Sequence, residues 1–444
     1  MSSNPQSLSV ATSESRATFF RQSGWLVVAT VSSGVFMTAT QVVANRWMHP
    51  AEYGVWFTLL RVYLMLSIPS VGLQIIFAQQ AAAAISRSQH RQLVRSLRAT
   101  AQATFILWVV IAVLVAVDQG RWTRLWAIRN PCALWATVAI GLASLWSPVV
   151  KGVLQGQQNF FGLGLVLVLD GLGRFASVTV LLLLGGQAAG GMTGALVGQM
   201  LSLGLGAWFL RPLLLGEGEP VDWRPWLRRA VPLSLGMGSV QFIGNADVVF
   251  VQAVFPETAG AAERYMPAAM IGLALVTFTT PLAAVMFPKV VRGTALTRAS
   301  HAAGLAMLAT LFLGGGAVLA CTLFPKLPLQ IIYFSHPTYW QAAPLVPWFV
   351  WCLLPFVLAN VLLANLLARD RFGVVPWAVF VALGYAGALL LLKSRLPGWE
   401  PGVAFRAVVQ TLGGFSLLLL AAAGWFTRAD RRPSSPESSP TPPA

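Results

Sequence analysis

AVPLSLGMGSVQFIGNADVVFVQAVF, residues 230–255, is a long apolar run that carries an amide and a carboxylate, Asn245 and Asp247, near its middle. A second apolar run, 264–287, follows after a short turn. A carboxylate at membrane depth is costly, so it is expected to have a partner or a water-filled cavity. The stretch therefore predicts two adjacent transmembrane helices, the first of them facing a polar interior.

Hydrophobic residues make up 56% of the 444-residue chain and charged residues only 10%. A soluble domain carries about 25% charged residues, so most of this chain is expected to lie in lipid. A helix needs about 20 mainly apolar residues to cross the hydrocarbon. Pro69 interrupts the second candidate span and the third is short, so eleven and thirteen spans remain alternatives to twelve. The sequence predicts an all-α polytopic membrane protein with spans at 24–45, 55–79, 101–117, 132–153, 162–184, 192–210, 231–255, 264–287, 302–324, 344–366, 373–392 and 402–426.

Basic residues are distributed unevenly between the predicted connections. If the N-terminus is inside, nineteen of the thirty lysines and arginines fall in cytoplasmic segments and nine fall outside. Such a bias orients multispanning proteins, so we expect both termini to be cytoplasmic. The net charge of +16 then follows from topology and does not indicate a nucleic-acid partner.

A weak internal repeat divides the predicted spans into two sets of six. The sequence PAEYG (50–54) follows span one, and PETAG (256–260) follows span seven, 206 residues later. Repeats of this kind often enclose a substrate path, so we expect two six-helix lobes around a central cavity. The predicted segments are a cytoplasmic N-terminal segment 1–23, an N-lobe 24–210, a cytoplasmic linker 211–230, a C-lobe 231–426 and a disordered cytoplasmic tail 427–444.

Four ionisable residues lie deepest in the predicted spans: Arg61, Asp170, Arg174 and Asp247. Asp170 and Arg174 share one helical face at i and i+4. Two interpretations remain open. Either the four form internal ion pairs that hold helices together, or the arginines line an aqueous cavity and bind an anionic head group, because guanidinium matches phosphate oxygens in a bidentate fork. For the two aspartates, the alternatives are ion pairing and coupling to a proton or cation.

Further polar residues lie at the ends of the spans or inside them. Arg46 and Arg264, at the outer ends of spans one and eight, are candidates for phosphate contact. Lys151 lies at an inner end, where basic side chains usually snorkel to the interface. Amides in the spans suit either hydrogen bonds between helices or contacts with sugar hydroxyls. The three candidate amides are Gln41, Asn245 and Asn360.

Enzyme motifs are absent from the sequence, which has no nucleophile elbow, no phosphate-binding glycine loop and no extramembrane carboxylate pair. The four histidines show no metal-ligand spacing, and the three cysteines lie in or beside apolar runs. We therefore expect no enzyme activity, no metal and no cofactor. The short connections also leave no room for a nucleotide-binding domain.

Residues 230–292 resemble the polysaccharide flippases of the multidrug/oligosaccharidyl-lipid/polysaccharide (MOP) exporter superfamily, the Wzx-like O-antigen and capsule translocases. Glu52-Tyr53-Gly54 and Gly152–Gly156 also fit the family pattern. The family turn is usually a compact Gly-x-Tyr, whereas Ala261–Arg264 intervene here. The matching features, in order, are Ala230-Val231-Pro232, Asn245-x-Asp247, Gly260, Tyr265, Ala268-Ala269 and Phe287-Pro288.

The resemblance implies a substrate, partners and a location. The cargo is an oligosaccharide on polyprenyl diphosphate, which two rocking lobes with a central cationic cavity move from the inner to the outer leaflet of the bacterial plasma (inner) membrane. The process served is cell-surface polysaccharide biosynthesis, with glycan polymerase or export machinery as further partners. A sugar–diphosphate head cannot cross hydrocarbon unaided, whereas the polyprenyl tail can stay in lipid.

Three alternatives are weighed against this function. A MATE-like drug or metabolite exporter of the same superfamily predicts a more acidic cavity, because organic cations are its usual cargo. A lipid II flippase usually has fourteen spans rather than twelve. A polytopic polysaccharide polymerase or ligase needs a large outer loop with catalytic residues, and the longest outer connections, 118–131 and 325–343, are too small for one.

Overall fold

Apolar runs joined by short connections form helices throughout the described chain. The structure is a computed structural model that describes residues 5–255, 264–276, 299–334 and 336–430. Those ranges contain helices, turns and loops and no β-strand. The predicted all-α class is therefore confirmed.

The helices follow the predicted order along the chain. The first ten are α1 Pro5–Trp47, α2 Pro50–Leu66, α3 Ile68–Ala83, α4 Arg87–Val117, α5 Gln119–Leu125, α6 Pro131–Gly156, α7 Phe160–Leu183, α8 Gln187–Phe209, α9 Arg211–Leu214 and α10 Trp223–Val254. The others are α11 Met266–Val276, α12 Ala299–Leu323, α13 Leu327–Ile332, α14 Val346–Ala368, α15 Val375–Lys393 and α16 Pro401–Asp430.

Within the described ranges, eight helices are long and apolar enough to cross a membrane, and the bent pair α2 and α3 makes a ninth candidate. These nine cover predicted spans one to six and ten to twelve. Helix α10 covers span seven, and the apolar part of α12, Thr310–Leu323, lies in span nine. Helix α11 covers the start of span eight, whose remainder lies outside the described residues, as do 256–263 and 288–298.

Several predicted boundaries differ from the helix ends. The N-terminal segment 1–23 is helical from Pro5, because α1 runs without a break into span one. Span three begins earlier than predicted, since the capping box of Ser86 and Gln89 starts α4 at Arg87. Residues 427–430 of the predicted tail are helical, because α16 continues to Asp430; residues 431–444 lie outside the described chain.

The predicted interruption of span two is a bend of 45° between α2 and α3. Proline cannot donate a backbone hydrogen bond, so a proline near the start of a helix leaves the preceding turn incomplete. Serine hydroxyls supply hydrogen bonds at this break. Ser67 donates to the Leu64 carbonyl at 2.7 Å, Ser70 to the Ser144 carbonyl at 3.0 Å, and Ser234 of α10 to the Pro69 carbonyl at 3.0 Å.

Glycines allow close contact between the helices around the bend. Gly152 and Gly156 on α6 lie against the backbone carbonyls of Gln74 and Ala78 on α3, so a side chain at either glycine would collide with that backbone. On α8, Gly194 packs on Val178 of α7, where an added Cβ would lie 2.6 Å from the backbone. Small residues spaced by four are a typical helix interface in membranes.

Residues group by contact into two compact units. The first comprises Met1–Pro267 with Leu329–Ala342, and the second comprises Ala268–Pro328 with Ala343–Ala444. Helix α10 belongs by contact to the first unit, where it packs on α2 and α3. In the second unit α14 packs on α12 and α16. The six-plus-six division into lobes rests on the sequence repeat and remains a prediction.

Candidate functional site

A buried ion cluster joins helices α6 and α7 in the first unit. Asp170 lies 3.5 Å from Nη2 of Arg174 one turn later, as the i, i+4 spacing predicts. Its other oxygen lies 2.9 Å from Nζ of Lys151 on α6. Lys151 therefore points inward, contrary to the snorkelling expected for a basic residue at a helix end, because a buried carboxylate is within its reach. The cluster holds two cations and one carboxylate.

The Arg174 guanidinium is also fixed from α2 and α8. Nη1 donates to the Tyr63 hydroxyl and Nη2 to the Gln199 side-chain oxygen, each at 3.0 Å. Gln199 in turn donates to the hydroxyl of Ser144 at 3.1 Å. The remaining guanidinium donor, Nε, is buried and has no hydrogen-bond partner among the described residues. The cluster thus combines an excess positive charge with an unused N–H.

A second buried cluster joins α2, α10 and the residue before α11. Nη1 of Arg61 donates to the side-chain oxygen of Asn245 at 3.0 Å, and the guanidinium lies 4.7 Å above the Phe57 ring. The Tyr265 hydroxyl donates to Asp247 at 2.8 Å. Within the described chain no carboxylate lies within 4.0 Å of Arg61, and no basic group lies that close to Asp247.

The structure thus brings five of the predicted site residues into two clusters of the first unit. With Lys151 included, these clusters contain three basic and two acidic side chains. The four ionisable residues predicted from the sequence, two arginines and two aspartates, have no net charge. Both arginines are almost fully buried, with Arg61 3% exposed and Arg174 7% exposed.

The other predicted site residues lie elsewhere. Arg46 is exposed in the last turn of α1, and Arg264 is exposed and donates to Gln341 at 3.3 Å. Gln41 and Asn360 are half-buried, and each has a buried side-chain oxygen without a hydrogen-bond partner in the described ranges. Asn360 belongs to the second unit.

Sequence analysis missed Tyr63 and Gln199. Both residue types also occur as ordinary interface or packing residues in membrane helices, so neither stands out by type. The available signal for Gln199 is its position directly after Gly198, at the end of a glycine series spaced by four on α8. The described residues contain no group of three or more His, Cys, Asp or Glu side chains that could hold a metal ion.

Solved structures of known transporters are similar to this chain over most of its length. An inward-facing multidrug resistance MATE family transporter of the MOP superfamily matches with a TM-score of 0.70 and 13% identity, over 89% of this chain and 94% of the other. The lipid II flippase MurJ in an inward closed conformation matches with a TM-score of 0.68 and 10% identity, over 91% and 87%.

A MOP superfamily transporter from Pyrococcus furiosus matches with a TM-score of 0.65 and 12% identity, over 91% of this chain and 94% of the other. No protein-family model and no curated protein matches the sequence. The chain shares the fold of these solved structures. At these identities the likeness defines the fold and does not define the cargo.

Within this fold, the two clusters differ in their chemistry. Asp170 is held by two cations, whereas Asp247 is held by a phenol. Arg174 keeps one donor without a partner, and Arg61 has an amide rather than a carboxylate as its hydrogen-bond acceptor. An anion that binds Arg61 has to replace only the neutral side chain of Asn245, and no direct ion pair has to break. Anion binding is therefore easier at Arg61 than at Arg174.

Proposed function

We propose that this protein is a flippase that moves an oligosaccharide linked to polyprenyl diphosphate from the inner to the outer leaflet by alternating access, for cell-surface polysaccharide biosynthesis. The observation that carries the proposal is the composition of the two clusters, which hold three basic side chains, Lys151, Arg174 and Arg61, and two carboxylates, Asp170 and Asp247. A diphosphate head group is an anion that suits such a surplus of positive charge. The apolar polyprenyl tail can remain in lipid while the head moves.

Arg61 and Arg174 are the proposed ligands of the diphosphate. Guanidinium groups bind phosphate oxygens through two parallel hydrogen bonds, and both arginines are buried without a full complement of anionic partners. Asn245, Gln41 and Asn360 are proposed as polar groups for sugar hydroxyls. Arg46 and Arg264, which are exposed, are proposed as phosphate contacts on the route of the head group.

The two aspartates are proposed to have different roles. Asp170 is a structural counter-ion for Lys151 and Arg174, because it already contacts both. Asp247 is the coupling group, since it is 3% exposed and is held by a neutral hydroxyl rather than a cation. A carboxylate of this kind can take up a proton or a cation without breaking a salt bridge.

Two other cargoes suit the same fold. The likeness to a lipid II flippase supports any polyprenyl-diphosphate cargo, including lipid II. The likeness to multidrug MATE transporters supports an exporter of organic cations, but the one extra basic side chain in the two clusters favours an anionic head. We propose the bacterial plasma membrane as the location, with glycan polymerase or export machinery as partners.

Deletion of the gene tests the cargo directly. We expect polyprenyl-linked oligosaccharide to accumulate on the inner leaflet and surface polysaccharide to be lost. Plasmid-borne wild type should restore export, whereas Arg61→Ala and Arg174→Ala should not, at equal protein levels in the membrane. Arg121→Ala is the matched control, because Arg121 is an exposed arginine outside both clusters. Normal glycan export in the deletion strain would refute the proposal.

A further inference from the structure

The segment Leu329–Ala342 begins inside α13 and packs within the first unit, although α12 and α14, on either side of it in sequence, belong to the second unit. The predicted topology places this segment on the outer side of the membrane. We name it the outer strap. Four of its side chains are completely buried: Leu329, Tyr333, Tyr339 and Ala342.

Aromatic contacts hold the outer strap on helix α2. The hydroxyls of Tyr53 and Tyr333 lie 3.1 Å apart and share a hydrogen bond, and their rings meet edge to face at 6.2 Å between centroids. The ring of Tyr339 lies 6.0 Å from Tyr53 and 5.0 Å from Tyr333. Aromatic pairs of this kind contribute stability beyond the burial of their surface. The three tyrosines therefore hold the strap on α2 in a defined position.

The strap covers the outer end of the α2 face that carries Arg61. Tyr53, Phe57 and Arg61 are spaced by four residues and lie on one side of the helix. Tyr53 stacks on Phe57 at 6.2 Å, and Phe57 lies beneath the Arg61 guanidinium at 4.7 Å. A head group that reaches Arg61 from the outer side along this face meets the strap tyrosines first.

A second contact fixes the far end of the strap. Nε of Arg264 donates to the side-chain oxygen of Gln341 at 3.3 Å, at an exposed position. Inside the strap, the indole of Trp340 donates to the Tyr333 carbonyl at 3.3 Å. The strap is thus a compact element attached at two points.

We propose that the outer strap is a lid, latched by the Tyr53–Tyr333 hydroxyl pair, which closes the outer end of the α2 face that carries Arg61. Release of a head group to the outer leaflet requires the strap to leave α2 and expose the three tyrosines. The role in release rests on the proposed flippase function. The opening itself does not, because it is a property of the empty protein.

Cysteine accessibility measures the opening. Ala342→Cys places a thiol at a buried strap position, and the exposed natural Cys132 serves as an internal reference. Cys321 and Cys352 are replaced by alanine. The rate at which a membrane-impermeant maleimide modifies residue 342 in right-side-out vesicles, relative to Cys132, is read by peptide mass spectrometry.

Deletion of one hydroxyl should loosen the lid. Tyr333→Phe keeps the ring and removes the hydrogen bond, and we expect labelling at residue 342 to be about fivefold faster, the equivalent of about 1 kcal/mol for a net hydrogen bond. Tyr385→Phe is the matched control, because Tyr385 is equally buried but belongs to the second unit. Equal labelling in the two variants would overturn the lid.

A carboxylate at position 341 should strengthen the contact between the strap and Arg264. Gln341→Glu replaces a neutral acceptor of Arg264 by a carboxylate, and we expect labelling to slow by about twofold, as an exposed ion pair allows. Gln92→Glu, on the exposed part of α4, makes the same substitution away from the strap and should have no effect. Unchanged labelling in Gln341→Glu would contradict the attachment at Arg264.

The two proposals fail in different ways. If labelling responds to Tyr333→Phe but glycan export is normal in the deletion strain, the lid stands and the proposed cargo is refuted. If export depends on the gene but labelling ignores Tyr333→Phe, the cargo stands and the lid is refuted.

Discussion

At the scale of single residues, the two buried aspartates are expected to differ in how much stability is lost when their charge is removed. Asp170 neutralises part of the charge of Lys151 and Arg174, and removal of one partner from a buried ion pair costs about 3–5 kcal/mol. Asp170→Asn should therefore lower the melting temperature of the purified protein or abolish its accumulation in the membrane. Thermal unfolding followed by size-exclusion chromatography in detergent measures this.

A second substitution tests whether Asp170→Asn destabilises the protein through the uncompensated charge of Lys151. Lys151→Met in the Asp170→Asn background removes one of the two cations left without a carboxylate, so the double variant should be more stable than Asp170→Asn alone. Residues in one ion cluster are expected to show such non-additivity. Additive losses would mean that Lys151 and Asp170 act independently, contrary to their 2.9 Å contact.

Asp247→Asn should cost less stability than Asp170→Asn. The asparagine still accepts a hydrogen bond from Tyr265, and the nearest charge partner of Asp247, Arg61, is not in direct ion-pair contact with it. If Asp247 carries the coupling ion, transport by the variant should no longer respond to a proton or sodium gradient. Flux in proteoliposomes with and without each gradient checks this, and a retained response would remove Asp247 from the coupling role.

At the level of residues, the sequence predicted only what lies within one helix. The shared face of Asp170 and Arg174 follows from i, i+4 spacing, whereas the choice between an ion pair and a cavity was left open. Lys151 was misjudged because its direction depends on the packing of α6 against α7, which the local sequence does not specify. The Asn245 and Tyr265 contacts likewise required knowledge of which helices meet, and at what depth.

At the scale of helices, glycines position the Arg174 cluster. Gly198 on α8 lies against the backbone nitrogen of Arg174, so a side chain there would push α7 and α8 apart. Gly198→Ala should therefore destabilise the protein and impair function together. Gly204→Ala is the matched control on the same helix, since nothing lies within 4 Å of an added Cβ.

The two glycine variants should differ in melting temperature. Replacement of an unconstrained helical glycine by alanine stabilises a helix by roughly 0.5–1 kcal/mol, so Gly204→Ala should melt at the same or a higher temperature than the wild type. Gly198→Ala should melt lower. Equal melting of the two variants would show that the α7–α8 contact tolerates expansion at Gly198.

The bend between α2 and α3 was predictable from the sequence, but the contacts that stabilise it were not. Pro69 predicts an interruption in span two, and the break lies at Ser67. The identity of the group that reaches the Pro69 carbonyl could not be predicted. Ser234 is distant in sequence, and its approach depends on contact between α3 and α10, where Gly72 makes room.

At the scale of the whole molecule, hydropathy was sufficient for the fold class, because lipid imposes helices on any apolar run of sufficient length. The assignment of the outer strap to the first unit was not predictable. Its residues lie between spans nine and ten in sequence, and only the contacts of Tyr333 and Tyr339 with Tyr53 place the segment on α2.

The orientation of the whole chain remains a prediction and has a direct test. Because basic residues concentrate in the predicted inner segments, both termini should be cytoplasmic. A fluorescent protein fused after Asp430 should fluoresce, and alkaline phosphatase at the same position should be inactive. Phosphatase fused within 325–343 should be active, since the strap would then be on the outer side. The opposite pattern at both positions would invert the topology and make the outer strap a cytoplasmic element, so that the maleimide experiment would require inside-out vesicles.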